Sequence, residues 1–343
     1  MELITRQRFN EFTQQIGDLN GVPQASVTTH YFTIQPSVQQ RLVTRMQDSI
    51  AFLKKINILP VTQMKGQVLG LTMGSTIGRN VDTSGGTRRT GIDPSGMNAF
   101  QYECHKNNFD TALKYNKLDS WALFPDFEVR IRDAIVIRQA LDRICVGFNG
   151  TAYALTSDIT ANPLLQDFNR GWLQAIREDA PQRVMDEVDG GKAAGKVTYG
   201  AAGDYASLDA VAWDAKESLL PVWAREDPDL VVIVGSKLLH DKYFPLINRT
   251  EGSLDMVARE IIMSDKQLGG LPVFRVPYFP DDAILITKFS NLSIYYQNGG
   301  QRRWIQDEPW LDQVTDYQSS NDAYVVEDYD YVALVENIEA KNA

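Results

Sequence analysis

Cysteine is nearly missing from this chain: its 343 residues include two, Cys104 and Cys145. Two thiols cannot staple a protein of this size, and the pattern suits a reducing compartment in which both are buried or half-buried. Histidine is as sparse, with His30, His105 and His240 far apart. Cys104 and His105 could offer two metal ligands, but no second pair stands at the spacing a zinc site uses. Long apolar runs are lacking too. The longest, such as Val231 to Val234 and Ala283 to Ile286, fall far short of the roughly 18 residues a membrane helix needs. The first residues, MELITRQRFNEF, carry charges throughout and have no apolar core of a secretory signal. A soluble protein made in a cytoplasm, with no membrane partner, is expected.

Positive charge is the other shortage. Lys and Arg number 34 against 44 Asp and Glu, giving a formal net charge of −10 and a pI near 4.9. Such a chain repels phosphate backbones, which argues against tight nucleic-acid binding but leaves weak contact through one local surface. The imbalance is uneven. Residues 305–343 hold ten carboxylates, among them Asp307, Glu308, Asp312 and Asp316, against Lys341 alone. Residues 65–96 carry Lys65, Arg79, Arg88 and Arg89 against Asp82 and Asp93. Complementary charge sets partner choice and register. The basic segment of one copy is therefore expected on the acidic surface of another; the plain alternative is a solvated acidic face and an incidental basic loop.

Signatures of catalysis are absent or incomplete. GGKAAGKVT (Gly190 to Thr198) has the spacing of a phosphate-binding loop, but Val197 stands where Ser or Thr must hold magnesium. The preceding EDAPQRVMDEVDGG reads as helical rather than as a buried strand, and no convincing helix follows to receive phosphates. EDPDLVVIVGSKL has a single glycine and so lacks the dinucleotide fingerprint. Gly66, Gly70, Gly74 and Gly78 repeat a membrane-dimer spacing outside any apolar segment. No nucleophile elbow or HExxH occurs. No catalytic residue, cofactor or metal site is expected.

What is present is a run of elements around one odd segment. Phe9, Phe12, Ile16 and Leu19 predict a helix over about 4–19, ended by Asn20-Gly21, with a loose stretch after it. Val38, Leu42, Met46, Ile50 and Leu53 predict a second from Ser37 to Lys55. Residues 65–100 hold 8 of the 24 glycines, flanked by strand-like alternation, and read as a long two-stranded arm. Each side, about 18 residues at roughly 3.3 Å, reaches ~60 Å, whereas a globule of this length has a radius of gyration of ~20 Å. An isolated hairpin is marginal in water, so the arm needs a neighbour to lie on. A long amphipathic helix over 126–148 follows, supported by a Glu128–Arg132 pair, then a shorter one near 163–179 and a polar linker at 187–204. From Ser207, which can cap a helix through Ala224, the pattern becomes α/β: a strand in DLVVIVG, helices in SKLLHDKYFPLI and LDMVAREIIMSDKQL, then strands in VFRV, AILIT and LSIYY. The acidic remainder is β-rich.

Long collinear stretches carry a resemblance. RFNEF, TIQPSVQQRL, YECHKNNFDTALKYNKLDSWA, DFEVRIRDAIVIRQALDRICVGFNG, NPLLQDFNRGWLQ and RVPYFPDDAILITKFSNLSIYY, with shorter matches between them, closely resemble the major capsid proteins of P2-like temperate tailed phages. The resemblance implies an α+β subunit of the HK97-type fold: an N-terminal segment 1–31 removed on maturation, an N-arm 32–61 and an extended E-loop 62–103. It further implies a P-domain from 104–204, with spine helix 126–148, and 298–343, and an α/β A-domain 205–297. The maturation cut is expected among Thr29, His30, Tyr31, Phe32 and Thr33, in the loose stretch. Implied partners are further copies in hexamers and pentamers, a scaffold and maturation protease, a portal protein and packaged double-stranded DNA held non-specifically. The implied place is the virion, assembled in the host cytoplasm. Some relatives of this fold crosslink through an E-loop lysine; this chain has none between Gly66 and His105, so assembly is expected to be non-covalent. Competing readings are a cellular compartment shell of the same fold and an α/β cytoplasmic enzyme.

Overall fold

Apolar residues recurring every three or four positions give the N-terminal stretch one face to bury, and a helix results. The computed structural model describes residues 1–73, 78, 80–82, 84, 95–121, 127–247 and 267–341. Helix α1 (Leu3–Asn20) ends where Gly21 takes φ +65°, a left-handed conformation that costs glycine little. The stretch expected to be loose is structured instead: α2 (Gln24–Thr29) is followed by β1 (Phe32–Thr33). Its polar sequence hides Val27, Phe32 and Ile34, which are buried with Ile16 and Ile305. Tertiary burial overrides local propensity here. Helix α3 (Pro36–Ser49) stops before the expected Lys55, because Phe52, Leu53 and Ile56 turn inward to the main core.

Strand β2 (Asn57–Val61) leads into the arm, β3 (Lys65–Met73) and β4 (Ser95–Glu103). These two pair antiparallel from Lys65↔Glu103 to Met73↔Ser95 and, among the described residues, pair with no other strand. Arg79, Arg88 and Arg89 lie outside the described residues. Strands β5 (His105–Asn108) and β6 (Thr111–Lys114) and helix α4 (Tyr115–Trp121) precede the long helix α5 (Phe127–Asn149), which matches its periodicity. The Glu128 side chain, half of the expected ion pair, lies outside the described ones. Helix α6 (Trp172–Asp179) is shorter than the expected 163–179, since the residues before it form an irregular loop with Leu165 at φ +59°.

The segment read as helical before the glycine motif is broken by Pro181, which cannot donate a helical hydrogen bond. It forms a 3₁₀ turn and β7 (Val184–Met185). The motif itself is a surface loop leading to β8 (Val197–Tyr199), and its Lys196 is held by Glu339 at 2.7 Å. Ser207 caps α7 (Leu208–Leu219) by accepting from Ala210 N at 3.3 Å. That helix ends ahead of Pro221 rather than at Ala224, as the restriction on a residue before proline requires. Next come β9 (Val231–Val234) and α8 (Ser236–Ile247). The helix expected over LDMVAREIIMSDKQL lies outside the described residues up to 266, and its last two residues, Gln267 and Leu268, are strand rather than helix. Strands β10 (Gln267–Leu268), β11 (Leu271–Phe274), β12 (Ile284–Thr287) and β13 (Leu292–Gln297) follow. The chain closes with β14 (Arg302–Glu308), β15 (Gln313–Val326), β16 (Ala333–Val335) and β17 (Ile338–Ala340).

Two main sheets result. The first runs β1-β14-β15-β13-β2, with β5 and β6 also on β15; the second runs β10-β11-β9-β12-β16-β7. The main core centres on Trp172, fully buried, with Phe148 at 5.2 Å, Tyr324 at 5.5 Å and Phe52 at 6.2 Å between ring centroids. Its indole N–H donates to the Ser293 carbonyl at 2.9 Å. Helix α5 approaches so closely that a Cβ on Gly147 would sit 2.2 Å from the Trp172 ring. Gly147→Ala should therefore destabilise the subunit by about 1–3 kcal/mol through overpacking. Helix propensity alone gives alanine the advantage by up to about 1 kcal/mol. Urea melts of unassembled subunit decide between the two signs.

Candidate assembly and maturation surfaces

The N-terminal segment is clasped onto the body at two carboxylates. Asp119, on α4, accepts from Glu2 N at 3.0 Å and from Thr5 Oγ1 at 2.6 Å, so a side chain over a hundred residues away caps the start of α1. These bonds, Thr5 foremost, hold the Asp119 carboxyl below its ordinary pKa. One turn on, Arg6 pairs with Asp307 at 2.7 Å. Tyr115 also donates to Asp307, and burial chiefly, with that bond, pushes the phenol up to about 12. At the far end of the segment, Trp304 donates to the Thr28 carbonyl at 3.1 Å and packs on Tyr31 at 5.1 Å. Between α1, α3, α5 and the first sheet lies an apolar cavity of about 160 Å³, with Phe9, Phe12, Leu42 and Ile135 in its wall.

The five residues expected at the cut divide in two. Thr29, His30 and Tyr31 are exposed, with His30 in extended conformation (φ −140°, ψ 157°) between α2 and β1. Phe32 is buried and, with Thr33, pairs with Arg303 and Arg302 of β14.

The acidic residues expected to receive a neighbour's basic arm are mostly engaged within their own chain. Asp307 holds Arg6 and Tyr115. Glu308 is buried and accepts from Thr315 Oγ1 at 2.6 Å, Gln313 Nε2 at 2.7 Å and Tyr317 OH at 3.2 Å; these bonds, Thr315 first, lower its pKa. Asp316 grips Arg303 through two bonds of 2.9 and 2.7 Å. Of the four, Asp312 is exposed, at a left-handed turn (φ 49°). Lys65 bonds Glu103 across its own hairpin at 2.7 Å. Alternation along β14 and β15 folds these acids back on local donors, which a count of charges does not register.

The hairpin root is fastened on both sides. Tyr102 packs edge-on against Tyr295 at 5.1 Å, and His105 stacks on Tyr153 at 4.3 Å with 11° between planes. Cys104 is buried with Val68, Tyr295 and Val325, so neighbours in sequence point to separate surroundings. Burial pushes its thiol up to about 12 and that of Cys145 up to about 11.

This architecture, a hairpin arm beside a long helix with two sheets, recurs in solved shells. A gene transfer agent capsid aligns at TM-score 0.52 over 85% of this chain and 90% of that one; at 16% identity it speaks for the fold alone. The capsid subunit of the satellite phage P4 procapsid, solved with its size determination protein, aligns at TM-score 0.81 with 46% identity over 100% of this chain and 99% of that chain. Among curated proteins, the capsid protein of Escherichia phage P2 is 48% identical over 337 residues, covering 97% of this chain and 94% of that protein. The major capsid protein of Serratia phage KSP20 is 43% identical, covering 98% and 97%. The model of the phage major capsid protein, P2 family, matches residues 8–338. The chain belongs to the P2 family of phage major capsid proteins. It has the HK97-type fold and forms the icosahedral shell of a P2-like phage.

For a capsid protein the residues that matter lie on surfaces, and sequence reasoning missed several here. Asp119 and Arg6 gave no local signal, because a cap supplied from another helix leaves no spacing to read. The His105–Tyr153 stack joins segments that pattern analysis treats separately. Loosening the clasp in the Arg6→Ala, Asp119→Ala double variant should raise the rate of limited proteolysis near residue 30 about fivefold, from a lost cap of about 1 kcal/mol. Because the Asp119 pKa is lowered, its contribution is present above the ordinary carboxylate range and lost as pH falls through the lowered value. Wild-type α1 should thus loosen in acid and not in base. Both thiols, buried with raised pKa, should resist iodoacetamide at pH 8 and react within minutes in 8 M urea, read by mass spectrometry.

Proposed function

We propose that this capsid protein enters a precursor shell with residues 1–31 still clasped to the body, and that a maturation protease then cuts among Thr29, His30, Tyr31, Phe32 and Thr33. The observation that carries this is the exposed run Thr29–Tyr31, in which Thr29 ends α2 and His30 turns to extended backbone ahead of β1. A protease needs backbone it can grip in extended form, and structured residues on either side concentrate cutting there. The carrier is thus an exposed, ordered linker rather than general looseness. Removal of 1–31 would free Asp119 and take Arg6 from Asp307, which keeps Tyr115, and so opens an acidic surface whose charge the precursor pairs.

The domain division is part of the same proposal: N-arm 32–61, E-loop 62–103, P-domain 104–204 with 298–343, and A-domain 205–297. The two sheets support it, with exchanges: β13 pairs in the sheet of β14 and β15, while β7 and β16 pair in that of β9 and β12. The E-loop, a hairpin without a partner strand of its own among the described residues, lies on an adjacent copy in hexamers and pentamers. With Asp307, Glu308 and Asp316 engaged internally, charge pairing by Lys65, Arg79, Arg88 and Arg89 falls to exposed acids such as Asp312 and to those the cut frees. Contacts are non-covalent and gain strength by repetition around closed symmetry. A scaffold, a portal and packaged double-stranded DNA complete the partner set; assembly takes place in the host cytoplasm and the chain performs no catalysis.

Co-expression with scaffold and protease, followed by sedimentation, negative-stain electron microscopy and intact mass, tests the reading. Closed shells whose subunits start between residues 30 and 34 are expected. Closed, expanded shells that keep residues 1–31 would overturn the maturation step.

A further inference from the structure

The stretch between the end of α5 and the start of α6 contains a loop whose base packs on the core through Leu165 and Phe168 but whose tip, residues 155–161, is exposed throughout. Its neck is closed by Gly171 N donating to the Gly150 carbonyl at 3.0 Å and Thr151 N to the Gln166 carbonyl at 2.7 Å. Inside, Ala154 N donates to the Asp167 carbonyl at 2.9 Å and Asp158 N to Asp167 Oδ2 at 2.7 Å. Asp158 in turn accepts from Thr160 N at 2.9 Å and Ala161 N at 3.2 Å. A loop of this length in a compact domain is uncommon, and one pinned so thoroughly has lost its conformational freedom in the free subunit.

That rigid frame presents aliphatic side chains to water. Leu155 is 94% exposed and Ile159 is 70% exposed. Scattered exposed aliphatics need no explanation; two set four residues apart on a frame fixed by side-chain carboxylates form a preorganised knob, which reduces the ordering cost of an encounter. Between Thr151 and Ile159 the single charge is Asp158, whose carboxylate accepts from the Thr160 and Ala161 amides.

We propose that this loop is a docking knob for a second copy of the capsid protein. The proposal rests on the shell-forming role. Two features select another copy as the occupant. Copies of a chain with net charge −10 repel one another, so contacts between them gain from a patch that carries a single charge. The knob is also continuous with the hairpin arm: Tyr153 of the loop stacks on His105 at the hairpin root, and that hairpin has no partner strand of its own among the described residues. One neighbour can therefore cover both.

The test compares full-length wild type with Leu155→Ser/Ile159→Ser, each co-expressed with scaffold. Shell closure is read by sedimentation and electron microscopy, scaffold binding by co-purification, and subunit folding by thermal melting. Melting should stay within about 2 °C of wild type, since surface substitutions leave stability nearly unchanged. Scaffold binding should persist while closed shells fall about tenfold or more, because a weakened contact repeats at every copy. Thr156→Glu, which adds a charge to the tip and removes no packing, should depress closure as well, and Leu155→Met/Ile159→Val should restore it. Closure at wild-type yield in both disruptive variants overturns the knob. Loss of scaffold binding overturns it too, assigning the loop to the scaffold. Failure of wild type itself to close shells counts against the shell-forming conditions and not against the knob.

Discussion

Trp172 is where four segments far apart in sequence are made to meet. Its ring touches Phe52 from the turn after α3, Phe148 from α5 and Tyr324 from β15, and its N–H finds the Ser293 carbonyl of β13. A buried indole has one polar atom, and leaving it unpaired is costly, so the site must supply an acceptor at one place. It must also supply room, which explains glycine at 147 in the last turn of α5 and at 171 next to the indole: a Cβ on Gly171 would lie 2.3 Å from the Val146 carbonyl. The spine helix is therefore set against the sheet at a fixed height. The hairpin root, the clasped N-terminus and the rigid loop all take their positions from that helix and the sheet beneath it.

A second constraint fixes rotation. Arg143 on α5 meets Asp322 on β15 at 3.1 Å, both buried, with Ser320 bonded to each and the Phe109 ring 4.3 Å from the guanidinium carbon. One guanidinium nitrogen and one carboxylate oxygen of the pair find no partner among the described residues. Desolvation consumes most of what such a pair gains, so it is a weak source of stability. Its geometry is demanding, however, and a slip of one residue along β15 would send Asp322 to the opposite face of the sheet. The pair marks the register in which the helix crosses that strand, next to an apolar cavity that packing alone leaves undetermined.

Much of this was legible in the residues. The period of Phe127 to Phe148 delimited the spine helix to within a residue or so, the alternation on either side of the glycine-rich segment announced the hairpin, and Ser207 and Gly21 marked helix ends where they were expected. The errors share a cause. Residues 22–34 look polar and loose, but Val27, Phe32 and Ile34 are each buried by a partner more than two hundred residues away or by α1. The 163–179 helix fails because Pro163 to Gly171 serve the loop neck, and Asn169 spends its side chain on the Asp322 carbonyl. Surface acidity was legible only as a count: Glu308 and Asp316 bond to cross-strand neighbours that only the register brings close.

The strand order has a consequence for how the protein is made. β15 bonds to β13, β14, β5 and β6, and β16 joins β12 to β7, so each sheet is stitched together by a strand that leaves the ribosome late. Pairings this distant in sequence form slowly, since the intervening chain must be closed into a loop first. A polypeptide that ends before β15 therefore owns a spine helix and an arm, and β9 to β12 of the second sheet, but not the strand that holds the first sheet together. A product that ends before Gln313 lacks the one strand to which β13, β14, β5 and β6 all bond.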